Sequence, residues 1–171
     1  MKNNLWFLTE ERPKKEVLQT IIHKFLKDFG FVGFVRPLII RPILDSNKFT
    51  FTYEVTGLEC NKVDKVYIKT VSGISSFTDF LIFYQKDEPT QKDEPIYAIE
   101  ETKTDDKESR NTGVYQRCSK FVFIQYCYPN VRKVMLYNLQ ILQKKEPTST
   151  DRKSTRLNYS HITPSRMPSS A

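Results

Sequence analysis

Two apolar segments joined by an acidic loop decide the fold: TDFLIFY at residues 78–84 and IYAIEETK at residues 96–103. The first is apolar on both faces, which is typical of a strand buried in the middle of a sheet. The second begins in the same way and then turns acidic. The connecting sequence, QKDEPTQKDEP, contains the pentapeptide QKDEP twice, and its polar composition with two prolines is typical of a solvated loop. These segments predict a central hairpin.

Helices are predicted before and after this hairpin. Apolar residues recur at helical spacing over residues 13–30, where Gly30 is the expected stop. Residues 108–126 predict a second helix, and VRKVMLYNL at 131–139 predicts a last strand. The expected inward stripe of the second helix consists of Val114, Cys118, Phe121 and Val122.

Further strands are predicted between the first helix and the hairpin. Residues 47–55 and 65–71 alternate apolar and polar side chains, as half-buried strands do. Residues 31–44 contain Pro37 and Pro42, which confine them to a sheet edge or a loop. The predicted order is helix, three or four strands, helix, strand, so the fold class is α/β with a mixed central sheet flanked by helices.

The acidic end of the second hairpin segment is the candidate site. If the two strands pair symmetrically about Thr90, opposed residue numbers sum to 180 and Asp79 faces Glu101. Opposed residues of an antiparallel pair project to the same face, and Lys103 shares that face because it lies two residues further on. An eleven-residue loop does not fix the register, and a slip of one residue would break this arrangement.

Two neighbouring carboxylates repel each other unless a cation lies between them. Oxygen-only ligands suit Mg²⁺, with Mn²⁺ as an alternative. Such an ion polarises a phosphoryl oxygen and lowers the pKa of a bound water, and a lysine beside it can stabilise developing charge. The structural alternative is an exposed strand end with an ion pair between residues two apart.

The combination of Asp79, about twenty residues and then Glu101-Thr102-Lys103 resembles the PD-(D/E)xK nuclease superfamily. The resemblance covers roughly residues 13–139 and implies a restriction-endonuclease-like core of helix, three strands, helix and strand. It also implies a Mg²⁺-dependent deoxyribonuclease acting on double-stranded DNA. In that family Asp79 and Glu101 would bind the metal, and Lys103 would be the catalytic lysine. Thr78 stands where the family has a proline.

Other polar residues are expected near this site on the same resemblance. Glu100 lies outside the motif and should point to the other face, as a helper residue or, if the register slips, as the true ligand. The second helix carries Gln116 and Lys120, four residues apart on one face, as candidate helpers. Arg110 and Arg117 are candidate phosphate contacts. The alternative for all four helix residues is an ordinary solvated face.

Composition excludes several classes of protein. Three cysteines without a C-x-x-C pair argue against a disulfide framework or a cysteine-rich zinc site, and two histidines weaken histidine-based mechanisms. We expect no membrane span, and the N-terminus lacks a secretory h-region, so a cytoplasmic location is expected. The net charge of +7 permits a nucleic-acid partner.

The domain prediction is a nuclease-like domain over residues 1–145 and a disordered tail over residues 146–171. The tail is rich in Ser, Thr, Pro and Arg, and from about residue 152 it resembles translated sequencing-adapter DNA. On that resemblance the tail is not native and the domain is truncated at its C-terminus. The alternative is a genuine basic tail that binds phosphates.

Three function hypotheses follow. The first is a DNA endonuclease of restriction or phage type, for which the resemblance also suggests a homodimer. The second is another nuclease of the same fold, such as an exonuclease, a resolvase or a repair nuclease. The third is a non-catalytic α/β interaction module that keeps the ion pair for structure alone.

We predict that deleting residues 152–171 leaves the melting temperature of the chain unchanged. The reason is that a segment without apolar periodicity contributes no packing to the core. Thermal unfolding followed by circular dichroism measures this, and a loss of several degrees would show that the segment belongs to the domain.

Overall fold

The computed structural model describes residues 2–32, 36–46, 48–102 and 109–137, and for residues 48, 49, 102, 109–116 and 137 it describes the backbone only. It contains seven strands and two α-helices within these ranges. In chain order the elements are β1 (Asn3–Thr9), α1 (Lys15–Phe25), β2 (Ile39–Asp45), β3 (Lys48–Thr56), β4 (Val63–Thr70), β5 (Phe80–Gln85), β6 (Tyr97–Thr102), α2 (Ser109–Cys127) and β7 (Arg132–Tyr137).

All seven strands form one mixed sheet with the order β2-β3-β4-β1-β5-β6-β7. The pairs β1–β4 and β6–β7 are parallel, and the other four neighbouring pairs are antiparallel. The predicted α/β class with a mixed sheet is confirmed. The predicted element order is incomplete, because β1 precedes the first helix and five strands, not three or four, separate α1 from α2.

The strand that the sequence analysis did not predict, β1, lies in the middle of the sheet. Leu5 and Phe7 point to one face, where they pack in a cluster with the α1 residues Leu18, Ile21 and Ile22. Trp6 points to the other face and joins a second cluster with residues of α2. Burial on both faces explains why this strand has a continuous apolar run rather than an alternating pattern.

Helix α1 is shorter than the predicted span of residues 13–30. It ends at Phe25, and one 3-10 turn over Lys27–Phe29 follows it. Gly30 then adopts φ 79°, a left-handed conformation that glycine reaches without steric cost. The predicted stop at Gly30 is therefore confirmed, although the α-helix itself ends one turn earlier.

Residues 31–44 were expected at a sheet edge or in a loop, and β2 is indeed the edge strand beside β3. Pro42 lies within β2, where an edge position tolerates its missing N–H. At the other end of the sheet, α2 connects the parallel strands β6 and β7. Among the described residues, no helix is long and apolar enough to cross a membrane.

The predicted inward stripe of α2 is partly wrong. Phe121 is buried as expected, and Ile124 is buried beside it. Val122 is 73% exposed and Cys118 is also exposed, so neither contributes to the core. Only the backbone of Val114 is described. The buried face is thus rotated away from the predicted one by roughly a third of a turn, since adjacent helix positions are about 100° apart.

Gly57 gives a testable packing constraint. It adopts φ +93°, and a Cβ added there would lie 2.7 Å from the carbonyl oxygen of Pro37. We predict that Gly57→Ala lowers the free energy of unfolding by roughly 2–4 kcal/mol, because overpacking adds to the cost of a left-handed alanine. Gly73→Ala is the matched control, since Gly73 has φ +80° and no atom within 4 Å of an added Cβ. It should cost about 1–2 kcal/mol in urea unfolding. Equal losses for the two variants would contradict the predicted clash.

Candidate active site

The register of the central hairpin differs by one residue from the predicted one. The pairs are Phe80 with Ile99, Leu81 with Ala98 and Ile82 with Tyr97, so opposed residue numbers sum to 179 rather than 180. This register, continued one residue past the last pair, places Asp79 opposite Glu100. The predicted facing of Asp79 and Glu101 is therefore wrong.

The loop that joins the two strands contains a turn closed by Asp93. The Asp93 carboxylate accepts hydrogen bonds from the backbone N–H of Thr90 at 2.6 Å and from its hydroxyl at 2.8 Å. A backbone bond from Asp93 to the Thr90 carbonyl closes the same turn. This turn lies in the second half of the loop, over residues 90–93.

Glu100 lies on the α2 face of the sheet and is 0% exposed. Its neighbour two residues back, Ala98, belongs to the core cluster under α2. Asp79, half-buried, lies on the same face because it is opposite Glu100. Glu101 points to the α1 face, and its backbone N–H donates to Oδ2 of Asp79 at 2.6 Å.

Two cations from α2 contact the buried carboxylate. The Lys120 ammonium donates to Oε1 of Glu100 at 3.1 Å and to Oε2 at 3.3 Å. It also donates to the backbone carbonyl of Ser75 at 2.7 Å. Nε of Arg117 lies 3.7 Å from Oε2 of Glu100. Two of the residues predicted on the second helix, Lys120 and Arg117, thus contact the predicted helper Glu100.

Burial, and after it the nearby Asp79 carboxylate, raises the pKa of Glu100 to about 7. The hydrogen bond from Lys120 and the charges of Lys120 and Arg117 act in the opposite direction without cancelling this effect. Binding a proton or another positive charge therefore stabilises the Glu100 carboxylate near neutral pH.

Several predicted site residues cannot be compared with the structure. Lys103 lies outside the described residues, and only the backbone is described for Gln116 and Arg110. The Glu101-Thr102-Lys103 triplet thus stays a prediction. The predicted tail and the last two residues of the predicted strand 131–139 also lie outside the described ranges.

The acid pair suits an open metal site better than a closed one. Mg²⁺ commonly binds one or two carboxylates and completes its shell with water and phosphate oxygens. Asp79 and Glu100 provide such a pair. Within the described residues, no group of three or more His, Cys, Asp or Glu side chains could hold a metal ion. Two carboxylates alone are within the number of protein ligands that Mg²⁺ takes.

The sequence analysis missed the contributions of Thr78 and Ser75, and it assigned Glu100 to the wrong face relative to Asp79. Thr78 is 0% exposed and donates from its hydroxyl to the Ile99 carbonyl at 2.8 Å. Its place before Asp79 was noted only as a departure from a family proline. No pattern in the sequence distinguishes the faces here, because both β5 and β6 are apolar on both sides.

We predict that metal-free protein loses stability as the pH rises from about 5 to 8. A raised pKa of about 7 means that the folded state binds the Glu100 proton more tightly than the unfolded state. Stabilisation by that proton is complete below pH 4.5, which is the ordinary pKa of a glutamate, and is lost as the pH rises through 7. The full loss is on the order of 3 kcal/mol.

Urea unfolding in EDTA at several pH values, with Glu100→Gln for comparison, measures this effect. The variant should lack the loss, so its stability relative to wild type should increase from pH 5 to 8. Glu101→Gln is the control, because Glu101 faces the other side of the sheet. A difference between wild type and Glu100→Gln that stays constant with pH would contradict the assignment.

Comparisons with models of protein families, with curated proteins and with solved structures found no match to this chain. Membership of the PD-(D/E)xK superfamily therefore stays a prediction from resemblance. The site consists of the buried Glu100 carboxylate, which two cations of α2 contact, with Asp79 nearby.

Proposed function

We propose that this chain is a Mg²⁺-dependent deoxyribonuclease that hydrolyses phosphodiester bonds in double-stranded DNA, as an endonuclease of restriction or phage type. One observation carries the proposal: the fully buried Glu100 carboxylate is electrostatically coupled to Asp79 and contacted by two cations. Burying one carboxylate beside another is costly, and such arrangements cluster at functional sites.

In this proposal Asp79 and Glu100 hold the ion, with Mn²⁺ as an alternative to Mg²⁺. The bound ion would polarise a phosphoryl oxygen and lower the pKa of a bound water. The bond from the Glu101 N–H to Oδ2 orients the Asp79 carboxylate. Lys120 orients the Glu100 carboxylate through bonds to both of its oxygens.

The remaining positive charges have roles on the substrate side. Arg117 lies at the acid pair and is partly exposed, so it can contact a DNA phosphate as well as Glu100. Lys103 keeps its proposed role from the resemblance, which is to stabilise charge that develops on the scissile phosphate. The net charge of +7 favours binding of a polyanion.

The choice of Glu100 rather than Glu101 as metal ligand changes the motif that the resemblance implied. Glu101 lies on the face of β6 opposite to the one that Asp79 and Glu100 share. If Glu101 is the ligand, the end of β6 has to rearrange when the ion binds. The two ligand sets therefore make different predictions for the glutamate variants.

A non-catalytic interaction module is the second candidate. One observation favours it: Lys120 links Glu100 to the Ser75 carbonyl and so ties α2 to the connection between β4 and β5. A purely structural ion pair would serve that purpose without a metal. This candidate expects no binding of divalent ions and no loss of any activity in the acid-pair variants.

We predict that Asp79→Asn and Glu100→Gln each reduce Mg²⁺-dependent cleavage of plasmid DNA by roughly 100-fold or more, because each removes a metal ligand. Lys103→Ala should reduce the rate while leaving metal binding intact. Ca²⁺ should support DNA binding with little cleavage, because its looser coordination positions the attacking water poorly. Supercoiled plasmid assayed on agarose gels separates endonuclease from exonuclease action.

Glu101→Gln is the matched control for Glu100→Gln and should keep activity close to wild type. Loss of activity in Glu101→Gln, with activity retained in Glu100→Gln, would support the original triplet and refute the ligand set proposed here. Cleavage that does not depend on a divalent ion, or that survives all three acid variants, would refute the nuclease site and favour the interaction module.

A further inference from the structure

The strand ladder between β5 and β6 ends immediately before the acid pair. The last ladder pair is Phe80 with Ile99. Past this pair, two hydrogen bonds with a side chain as one partner connect the strands. The Thr78 hydroxyl donates to the Ile99 carbonyl at 2.8 Å, and the Glu101 N–H donates to Oδ2 of Asp79 at 2.6 Å.

The bond from Thr78 joins the residue before one acid to the residue before the other. Thr78 precedes Asp79, and its acceptor Ile99 precedes Glu100. The bond holds Thr78 and Ile99 at a fixed distance. Because the Cα atoms of Asp79 and Glu100 are each one peptide unit further along, their separation can vary only slightly. The bond therefore controls the geometry of the acid pair directly.

The backbone of Thr78 explains why a side chain has to make this bond. Its N–H donates to the Ile74 carbonyl at 2.9 Å and so closes a turn over the 3-10 segment Ile74–Ser76. The main-chain donor is thus used by the turn and is not available to β6. The side-chain hydroxyl, which is fully buried, provides the connection to β6 instead.

A hydroxyl without any exposed surface has to be hydrogen-bonded to be tolerated, and here its bonded acceptor at 2.8 Å is the neighbour of Glu100. We propose that Thr78 is a positioning residue that holds Asp79 and Glu100 at the separation required to bind one divalent ion. This inference rests on the proposed function, since it concerns the geometry of the proposed metal ligands.

Three variants separate positioning from simple stability. Thr78→Val keeps the shape of the side chain and removes the hydroxyl, and Thr78→Ser keeps the hydroxyl. Thr9→Val is the matched control. Thr9 lies at the end of β1, the strand beside β5, is 5% exposed and donates from its hydroxyl to the Glu11 carbonyl at 3.1 Å. If Thr78→Val does not fold, Thr78→Ala replaces it in the comparison.

Isothermal titration of each variant with MgCl₂, without DNA, measures the affinity for the ion, and thermal unfolding in EDTA measures stability. We expect Thr78→Val to bind Mg²⁺ about tenfold or more weakly than wild type, as loss of a supporting hydrogen bond does at other metal sites. Thr78→Ser should restore the affinity to within about threefold, and Thr9→Val should bind like wild type at a similar loss of melting temperature.

The outcomes distinguish this inference from the proposed function. If wild type and Thr78→Val bind Mg²⁺ equally well, Thr78 has only a structural role and the positioning proposal is wrong, whatever the activity. If wild type binds no Mg²⁺, both proposals are overturned. If Thr78→Val alone binds Mg²⁺ weakly but wild type cleaves no DNA, the positioning role is supported and the nuclease function is not.

Discussion

Burial of the Glu100 carboxylate is the constraint on which the candidate site depends. A carboxylate with no exposed surface is costly unless cations and hydrogen bonds compensate for its lost hydration. Lys120 provides two such bonds from α2 and a third to the carbonyl of Ser75. Helix α2, strand β6 and the connection before β5 therefore have to meet at one point. Asp79 follows Ser75 by four residues, so its position beside Glu100 is a consequence of the same meeting.

The end of a strand ladder is a natural place for such a site, because backbone groups there have lost their regular partners. The carbonyl of Ile99 and the N–H of Glu101 lie at this end, and the side chains of Thr78 and Asp79 bond to them. Satisfying these backbone groups therefore also orients the first acid. The rest of the sheet supplies rigidity, since β1 is buried on both faces at its centre.

Periodicity predicted the elements that have one buried face, and a continuous apolar run predicted β5, which is buried on both faces. The same kind of run in β1 was missed. In helix α1 and strands β3 and β4, apolar residues recur at regular spacing. In β1, residues 5–8 are all apolar, so there is no alternation to detect. Because β5 and β6 are also apolar on both faces, the sequence did not indicate which of their residues share a face and so did not fix the register. The sequence analysis named Asp79, Glu100, Arg117 and Lys120 separately, but it did not predict that Asp79, Arg117 and Lys120 lie around Glu100.

If the proposed function holds, charge balance would link metal binding to substrate binding at this site. The described side chains at its centre are two carboxylates, Asp79 and Glu100, and two cations, Lys120 and Arg117, so their formal charges cancel. A divalent ion alone would add two positive charges to this neutral group, next to two existing cations. A DNA phosphate beside the ion would offset part of that excess. The ion and the phosphate should therefore each strengthen the binding of the other, by the reciprocity that any linked equilibrium obeys. A purely structural ion pair, already neutral and complete, would show no such mutual dependence.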